Sequence, residues 1–500
     1  MMRIWLPAVL IFLTSCGGET PAPNFVIFTI DTLRADHLGC YGNRLWNESP
    51  TPVPDRLAAS GILFERCYAP RGQTHPSLAS MLTGKYPITH RLRENGQGLD
   101  EVHWTVVELL RKKGYYTAGF AANLPVLEDP FRKKESPPAW WTRGFDECGD
   151  GFGERFRKET VQADIQEQWR WDERVEKKTL EWIEGFDTAG GPFLLWTHFY
   201  DPHKPYVTHE TYPDLFPDYR GPLEKDVVER EGKRVDMIKK TINKATRKGT
   251  PLNEKDQRKL LAYYDASVYG ASQRFDRLLA ALETKGMLEN TWILFTSDHG
   301  EELGDHRVYY YHDASIYNAV LHIPLIVVGP GVEAGRRSSC LVQNVDMAPT
   351  LLALAGLEIP ADMEGISFAE VLTSGADGFG REHVIAEWQK YIYSISDGRF
   401  KYIFNPMGAC PVKPPYLKWG GSFDYDFEEL YLLDADPGER NNVRNEHGEV
   451  VAALKKKLTA WVKARETRDT GKSTGSSAVE ALGYTGAGGK VKDVKFKKRR

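Results

Sequence analysis

Apolar residues fall in short, strand-length runs through the first three-quarters of the chain: Phe25 to Ile30, Tyr115 to Ala121, Phe193 to Phe199, Trp292 to Phe295 and Ile323 to Val328. Runs with little polar interruption predict strands covered on both faces, as in a parallel sheet. Between them the spacing lengthens to the helical period. Trp104 to Lys113 reads as one helix, and Tyr264, Val268, Ala271, Phe275, Leu278 and Leu282 give another a single apolar face, which predicts core. Strands alternating with helices predict an α/β fold, a large and mostly parallel sheet sandwiched by helices.

Two stretches break the alternation. Leu124 to Asp172 is rich in Pro, Trp and charge, and Glu210 to Asn253 in Lys, Arg and Glu. Both follow strand ends, where loops shape pockets, so both are expected to influence substrate specificity. Within the second, Lys225 to Lys248 is expected to form a solvated helical insertion. Further on, His383 to Trp388, Tyr391 to Ser396 and Phe400 to Phe404 read as short strands, Ser396-Asp397-Gly398 as a turn, Gly420-Gly421 as a loop and Val450 to Arg465 as a closing helix. A main domain over residues 24–375 and a small C-terminal α+β domain over 382–466 are therefore expected. Residues 467–500, rich in Gly, Ser and Thr and then in Lys, predict a flexible basic tail.

The chain's 500 residues exceed a usual single core, which agrees with two units. A net charge of −4 carries no basic excess of the kind nucleic-acid binding needs. At the N-terminus, Arg3 precedes an apolar run from Ile4 to Leu13 that is too short to span a bilayer and reads as a signal h-region. Leu13-Thr14-Ser15-Cys16 then resembles a bacterial lipobox. On this reading residues 1–16 are a lipoprotein-type signal with Cys16 as the lipidation site, and residues 17–23 are a tether. The protein would be exported and anchored to a membrane face, periplasmic or cell-surface. Cys40, Cys67, Cys148, Cys340 and Cys410 are scattered with no C-x-x-C pair, so no zinc cluster is expected from them.

The chemistry gathers where strands end. Asp31 follows the run Phe25 to Ile30, and Asp298-His299 follows the run ending at Phe295 by two residues. Open α/β sheets place their sites at such carboxyl ends. Thr74 opens Thr74-His75-Pro76-Ser77-Leu78, with Pro76 in the first turn of a helix running to Leu82 and Thr74 at or before its N-cap. A hydroxyl at a helix N-terminus beside acids and an imidazole can serve as a metal-activated nucleophile. Asp31, Thr74, Asp298 and His299 form a mixed oxygen and imidazole set. Zinc or manganese suits it better than calcium, which prefers more oxygens and remains open.

Seven segments extend this picture: Asp31 to Gly42 (DTLRADHLGCYG), Thr74 to Pro87 (THPSLASMLTGKYP), Phe199 to Tyr206 (FYDPHKPY), Thr296 to His306 (TSDHGEELGDH), His312 to Pro324 (HDASIYNAVLHIP), Val345 to Gly356 (VDMAPTLLALAG) and Glu429 to Val443 (ELYLLDADPGERNNV). In this order they resemble the sulfatase family of the alkaline phosphatase superfamily. The resemblance implies that family's fold, a divalent metal ion and hydrolysis of sulfuric or phosphoric esters. It implies that His203 lies near the leaving group and that His312 faces the anionic group. Arg71, Asn95 and His306 become substrate-binding candidates. Asp201 is expected to orient the His203 loop, and Arg34 with Asp36 to form an ion pair beneath the site.

The departures lie in the site itself. Where sulfatases carry the Cys or Ser that becomes formylglycine, Thr74 stands, and Leu78 replaces the Arg of that run. Threonine cannot become the aldehyde, so no formylglycine is expected. An ordinary threonine ester must be cleared by attack of water on the transferred centre, which suits phosphorus. Phosphoric or phosphonic esters, linked to a glycan or lipid, are therefore favoured over sulfuric esters as substrates. Two alternatives stay open: a phospho-group transferase acting on a glycan or lipid acceptor, and a catalytically degenerate glycan-binding lipoprotein.

Overall fold

The computed structural model describes residues 21–122, 139–150, 169–204, 206, 212–224, 227–230, 233–236, 240–241, 252–306, 308–313, 315–376, 380–388, 392–405 and 426–466. Cys16, the tether, the basic tail, Gly420-Gly421 and much of both insertions lie outside these residues.

An eight-stranded sheet forms the centre. Its strands are β1 (Asn24–Ile30), β2 (Ile62–Tyr68), β3 (Tyr116–Ala121), β4 (Glu147–Asp150), β5 (Phe193–Phe199), β6 (Thr291–Ser297), β7 (His322–Val328) and β8 (Arg336–Gln343). Their spatial order is β8-β2-β7-β6-β1-β5-β3-β4. All neighbours run parallel except β7, which is antiparallel to both β2 and β6. Strands β2, β4 and β8 went unforeseen because polar residues interrupt them; β8 reads Arg-Arg-Ser-Ser-Cys before it turns apolar.

Side chains alternate between two cores. From β1, Phe25 and Ile27 enter one cluster with Leu194, Trp196 and Leu294. Val26, Phe28 and Ile30 enter the other with Leu195, Phe199 and Phe295. Burying one such side chain is worth about 1.5–3 kcal/mol, so register is strongly specified on both faces. The second face is covered by the long helix Glu254–Thr284, whose Phe275 ring lies 4.1 Å from that of Phe28. Its Tyr264, Val268, Ala271, Phe275, Leu278 and Leu282 are buried as the periodicity predicts. The first face is covered in part by α1 (Thr74–Thr83) through Leu78, Ala79, Met81 and Leu82. The expected helix at 104–113 occupies Val106–Lys112, because Thr105 and Glu108 form a reciprocal capping box that starts it there.

Residues 227–230 and 233–236 depart from the expected helical insertion. Val227–Arg230 pairs antiparallel with Lys233–Asp236 as a two-stranded ribbon, in keeping with the β-branched residues Val227, Val228 and Val235. Toward the C-terminus, β9 (Val384–Trp388), β10 (Ile392–Ser396), β11 (Phe400–Phe404) and β12 (Glu428–Leu432) make an antiparallel sheet. Helix Gly448–Glu466 packs on it through Leu454, Leu458 and Val462. No helix among the described residues is long and apolar enough to cross a membrane, and no disulfide joins the described cysteines.

Register fixes the site. Ile30 pairs with both Phe199 and Ser297, so β1, β5 and β6 end at one level. Asp31, Tyr200 and Asp298 leave the sheet together.

Candidate active site and metal centre

Asp31, Asp298 and His299 are fully buried, and their ligand atoms all lie within 4.8 Å of one another. His299 donates Nδ1–H to the Gly300 carbonyl at 2.9 Å. That bond leaves the Nε2 lone pair facing inward, 3.4 Å from Asp298 Oδ2 and 3.9 Å from Asp31 Oδ1. The carboxylate of Asp298 divides its work. Oδ1 accepts the amides of His299 (2.8 Å) and Thr32 (3.3 Å), while Oδ2 finds no hydrogen-bond donor among the described residues. Lone pairs converging in a dry pocket repel unless a cation sits between them. The donor set thus fits a divalent metal ion.

Thr74 is brought to the same point. It is buried, and its Oγ1 lies 3.4 Å from His299 Nε2. The helix boundary differs by one residue from the expectation: Gln73 is the N-cap and Thr74 is the first helical residue. The Thr74 hydroxyl is not the cap. Instead Asn95 Oδ1 accepts the His75 amide at 2.9 Å, so Asn95 satisfies a helix-terminal N–H from outside the helix.

The loop after β1 is held under strain. Thr32 has φ of 57°, a left-handed conformation that β-branched residues rarely adopt. Tyr264 pins it, donating its hydroxyl to the Thr32 carbonyl at 2.6 Å and accepting the Arg34 amide at 3.0 Å. Below, Arg34 pairs with Asp36 at 2.7 Å, as expected, and also with Asp305 at 2.6 Å. Across the pocket, Ser77 donates to the Asp298 carbonyl at 2.6 Å and Asn344 donates to Ser77 Oγ at 2.8 Å. The site roles of Ser77, Tyr264 and Asn344 are not legible in the sequence: Tyr264 reads only as part of an apolar helical face, and the hydroxyl of Ser77 and the amide of Asn344 leave no periodic signal.

Gly300 allows this close packing. A Cβ there would sit 2.3 Å from the Ala319 carbonyl oxygen and 3.0 Å from the Arg34 side chain. Gly300→Ala is therefore expected to destabilise the fold by about 1–3 kcal/mol through overpacking. It should also weaken metal binding, since the carbonyl that orients His299 must move. Urea unfolding with and without added metal checks both effects.

Three imidazoles line up from the metal centre. The rings of His299 and His312 are 4.5 Å apart, and those of His312 and His203 are 5.2 Å apart. His312 bonds Glu301 Oε1 through Nδ1 at 2.9 Å, and Glu301 Oε2 accepts the Tyr206 hydroxyl at 3.0 Å. Burial pushes His312 well below its usual pKa, aided by His299 and Lys204. Burial does the same to His203, with His312 and Lys204 beside it. His203 donates Nδ1–H to the Lys204 carbonyl at 2.8 Å, so in the neutral form that burial favours its Nε2 is an acceptor.

The remaining candidates are held by protein partners. Arg71 is fully buried, bonded to Gln73 Oε1 at 2.6 Å and 3.7 Å from Asp313. His306 stacks on Tyr317 at 3.6 Å and lies 3.2 Å from Glu302. Burial opposes its charge, but Glu302 and Glu439 raise it to about 9. Asp201 accepts the Tyr212 hydroxyl at 2.8 Å and lies outside the acid and histidine cluster.

The sulfatase family model matches residues 23–357, well over half of the chain. The chain belongs to the sulfatase family. It is accordingly a hydrolase acting on ester bonds, of the metal-dependent kind that the acidic pocket fits. This sulfatase-family chain is similar to an N-acetylglucosamine-6-O-sulfatase of Bacteroides thetaiotaomicron, at 27% identity over 88% of this chain and 86% of the relative. It is similar to a solved structure in complex with its substrate D-glucosamine-2-N,6-O-disulfate, with 25% identity, a TM-score of 0.64 and coverage of 90% and 99%. The phosphonate monoester hydrolase of Agrobacterium radiobacter shares the fold at 22% identity, with a TM-score of 0.66 and coverage of 89% and 96%.

Proposed function

We propose that this sulfatase-family hydrolase uses Thr74 as its nucleophile and cleaves phosphoric or phosphonic esters in preference to sulfuric ones. The observation that carries the reading is the Thr74 hydroxyl, buried and 3.4 Å from the inward lone pair of His299, in a pocket that also holds Asp31 and Asp298. Asp31, Asp298, His299 and the Thr74 oxygen would hold one divalent ion, with zinc or manganese preferred over calcium because of the imidazole. Such an ion, when bound, favours the deprotonated alcohol and offsets charge on the ester.

Thr74 Oγ forms a bond to phosphorus as the ester P–O bond breaks, and the hydroxyl proton ends on the departing alcohol. Water then attacks phosphorus in line. Its oxygen stays on phosphorus and one of its protons returns to Thr74 as the Oγ–P bond breaks. His203, whose Nε2 is an acceptor when the ring is neutral, would take the proton that Thr74 gives up and pass it to the departing oxygen. Glu301 holds the His312 ring through Nδ1, and contact with the anionic group is the role assigned to His312 in this reading. The same sequence at sulfur would leave a threonine sulfate to be cleared by attack at sulfur, without the C–O cleavage open to a formylglycine hydrate. The substrate class is an anionic ester carried on a glycan or lipid. The disulfated glucosamine bound by one similar structure and the phosphonate ester chemistry named for another mark the two ends of that class.

The test is elemental analysis of the purified protein followed by turnover of aryl sulfate, phosphate monoester, phosphate diester and phosphonate monoester. Faster turnover of phosphorus esters supports the reading. An enzyme selective for aryl sulfate overturns the preference, and metal binding with no turnover favours a glycan-binding protein. Transfer products with added alcohols would identify a transferase.

We also propose export and lipid anchoring through Cys16, resting on Leu13-Thr14-Ser15-Cys16. Cys16→Ser is expected to shift the protein from the membrane to the soluble fraction. Retention of the variant with membranes would remove Cys16 as the anchor.

A further inference from the structure

We propose that Asp172 and Tyr200 are positioning residues for His203, forming a buried clamp that aims its imidazole at the departing oxygen; this rests on the hydrolytic reading above. The clamp is built where β5 ends. Strand pairing stops at Phe199, so the next amides need other acceptors. Asp172, in the first turn of helix Trp169–Gly185, supplies them: Oδ1 accepts the Tyr200 amide at 2.7 Å and Oδ2 accepts the Asp201 amide at 2.9 Å. Its side chain has no exposure to solvent.

Such a carboxyl is costly to bury, and its surroundings show how that cost is met. Two N–H bonds satisfy its oxygens. Arg274, itself bonded to Glu176 at 2.8 Å, lies close enough to favour the charged form. Burial and neighbouring Asp201 nevertheless raise the Asp172 carboxyl. No core strand needs an acid here. What the acid fixes is one turn.

That turn carries His203. The Tyr200 carbonyl accepts the His203 amide at 2.8 Å, and the Tyr200 and His203 rings pack 4.5 Å apart. The Tyr200 hydroxyl and His203 Nδ1 both donate to the Lys204 carbonyl, at 3.0 and 2.8 Å. One oxygen therefore fixes the tautomer of His203, while the Tyr200 ring fixes its plane. The chain of support runs from Asp172 to the Tyr200 backbone, through the Tyr200 ring, to the imidazole. Neither Asp172 nor Tyr200 belongs to the acid and histidine cluster that fits the metal.

The clamp is tested with substituted phenyl esters of whichever anion the wild type turns over, spanning good and poor leaving groups. Asp172→Ala and Tyr200→Phe are measured beside His203→Ala and Thr74→Ala. For Asp172→Ala, kcat is expected to fall about 30-fold on the unsubstituted phenyl ester and less than about threefold on the dinitrophenyl ester, with KM little changed, because only a poor leaving group needs the proton relay. Asp172→Asn, which keeps one acceptor, should restore part of the loss. In the His203→Ala background, Asp172→Ala and Tyr200→Phe should cost almost nothing more.

A loss that is equal across leaving groups, or that persists undiminished without His203, assigns these residues to the fold alone and overturns the clamp. Absence of wild-type turnover on every ester overturns the hydrolytic reading instead, and full activity of Thr74→Ala overturns only the nucleophile, so the failures are separable. Should Asp172→Ala not fold, Tyr200→Phe carries the test. It removes one hydroxyl, keeps the ring, and is expected to show the same dependence on leaving group at about three- to tenfold.

Discussion

Thr74→Ala is expected to lower kcat/KM by about 10⁴-fold or more on every ester the wild type cleaves, as loss of a nucleophile does in enzymes that form covalent intermediates. The fold should survive the change. The Thr74 hydroxyl caps nothing: Gln73 is the N-cap, Asn95 accepts the His75 amide, and the helix is anchored by Leu78, Met81 and Leu82. Stability should therefore shift by no more than about 1 kcal/mol in the metal-free protein. Metal affinity should fall modestly, because one of four donors is lost while Asp31, Asp298 and His299 remain. Thr74→Ser, which keeps the hydroxyl, should retain measurable turnover. Rapid quenching and mass spectrometry provide the direct check: a phosphoryl group should appear on the wild-type peptide containing Thr74 and be absent from Thr74→Ala. Turnover that survives the substitution would remove Thr74 from the chemistry and leave an attacking water as the simpler account.

The contrast in how elements were legible has a physical basis. Strands β1, β5 and β6 lie at the centre of the sheet and feed two cores at once, so nearly every residue is apolar and the run is plain. The same centrality puts Asp31 and Asp298 at one level, and the sequence shows both as acids ending apolar runs. Edge and near-edge strands carry mixed residues; Glu65 and Arg66 interrupt β2 and Arg336 and Arg337 open β8, so period-two patterning was obscured. Thr74 needed more than pattern, since a threonine before a proline resembles an ordinary helix start. Its distance to His299 is created by residues far apart in sequence. Asn95 and His306 illustrate the converse. The family resemblance makes them substrate-contact candidates, and the structure adds partners that local spacing does not show: one accepts a helix amide and the other is stacked and ion-paired. Side chains whose partners lie far along the chain leave no trace in local spacing.

Asp298→Asn is expected to abolish metal binding while leaving the metal-free fold at least as stable as wild type. The two carboxylate oxygens of Asp298 do different work, and the amide separates them. Its carbonyl oxygen can keep the bonds to the His299 and Thr32 amides that Oδ1 now accepts at 2.8 and 3.3 Å. Its NH₂ then takes the place of Oδ2, 3.4 Å from His299 Nε2, where a donor meets a lone pair instead of a second acceptor. Asp31 and Asp298 are the two like charges, with ligand atoms within 4.8 Å; repulsion between unit charges about 4 Å apart is about 1 kcal/mol in water and about 4 kcal/mol at an effective dielectric of 20, so removing one relieves the metal-free pocket. The same NH₂ points its positive end at any cation and offers no lone pair. Wild-type protein should gain about 4 kcal/mol of stability with metal at a thousandfold excess over Kd, and the variant should gain nothing. Turnover should fall in parallel by at least about 10³-fold, a loss of about 4 kcal/mol of transition-state stabilisation. Elemental analysis with thermal unfolding, in chelator and in zinc, manganese or calcium, reads all of this at once. An Asp298→Asn protein that still holds a stoichiometric ion would show that the cation sits elsewhere. One that unfolds readily without metal would show that Asp298 is there for its backbone bonds, with the buried cluster serving the fold and not the reaction.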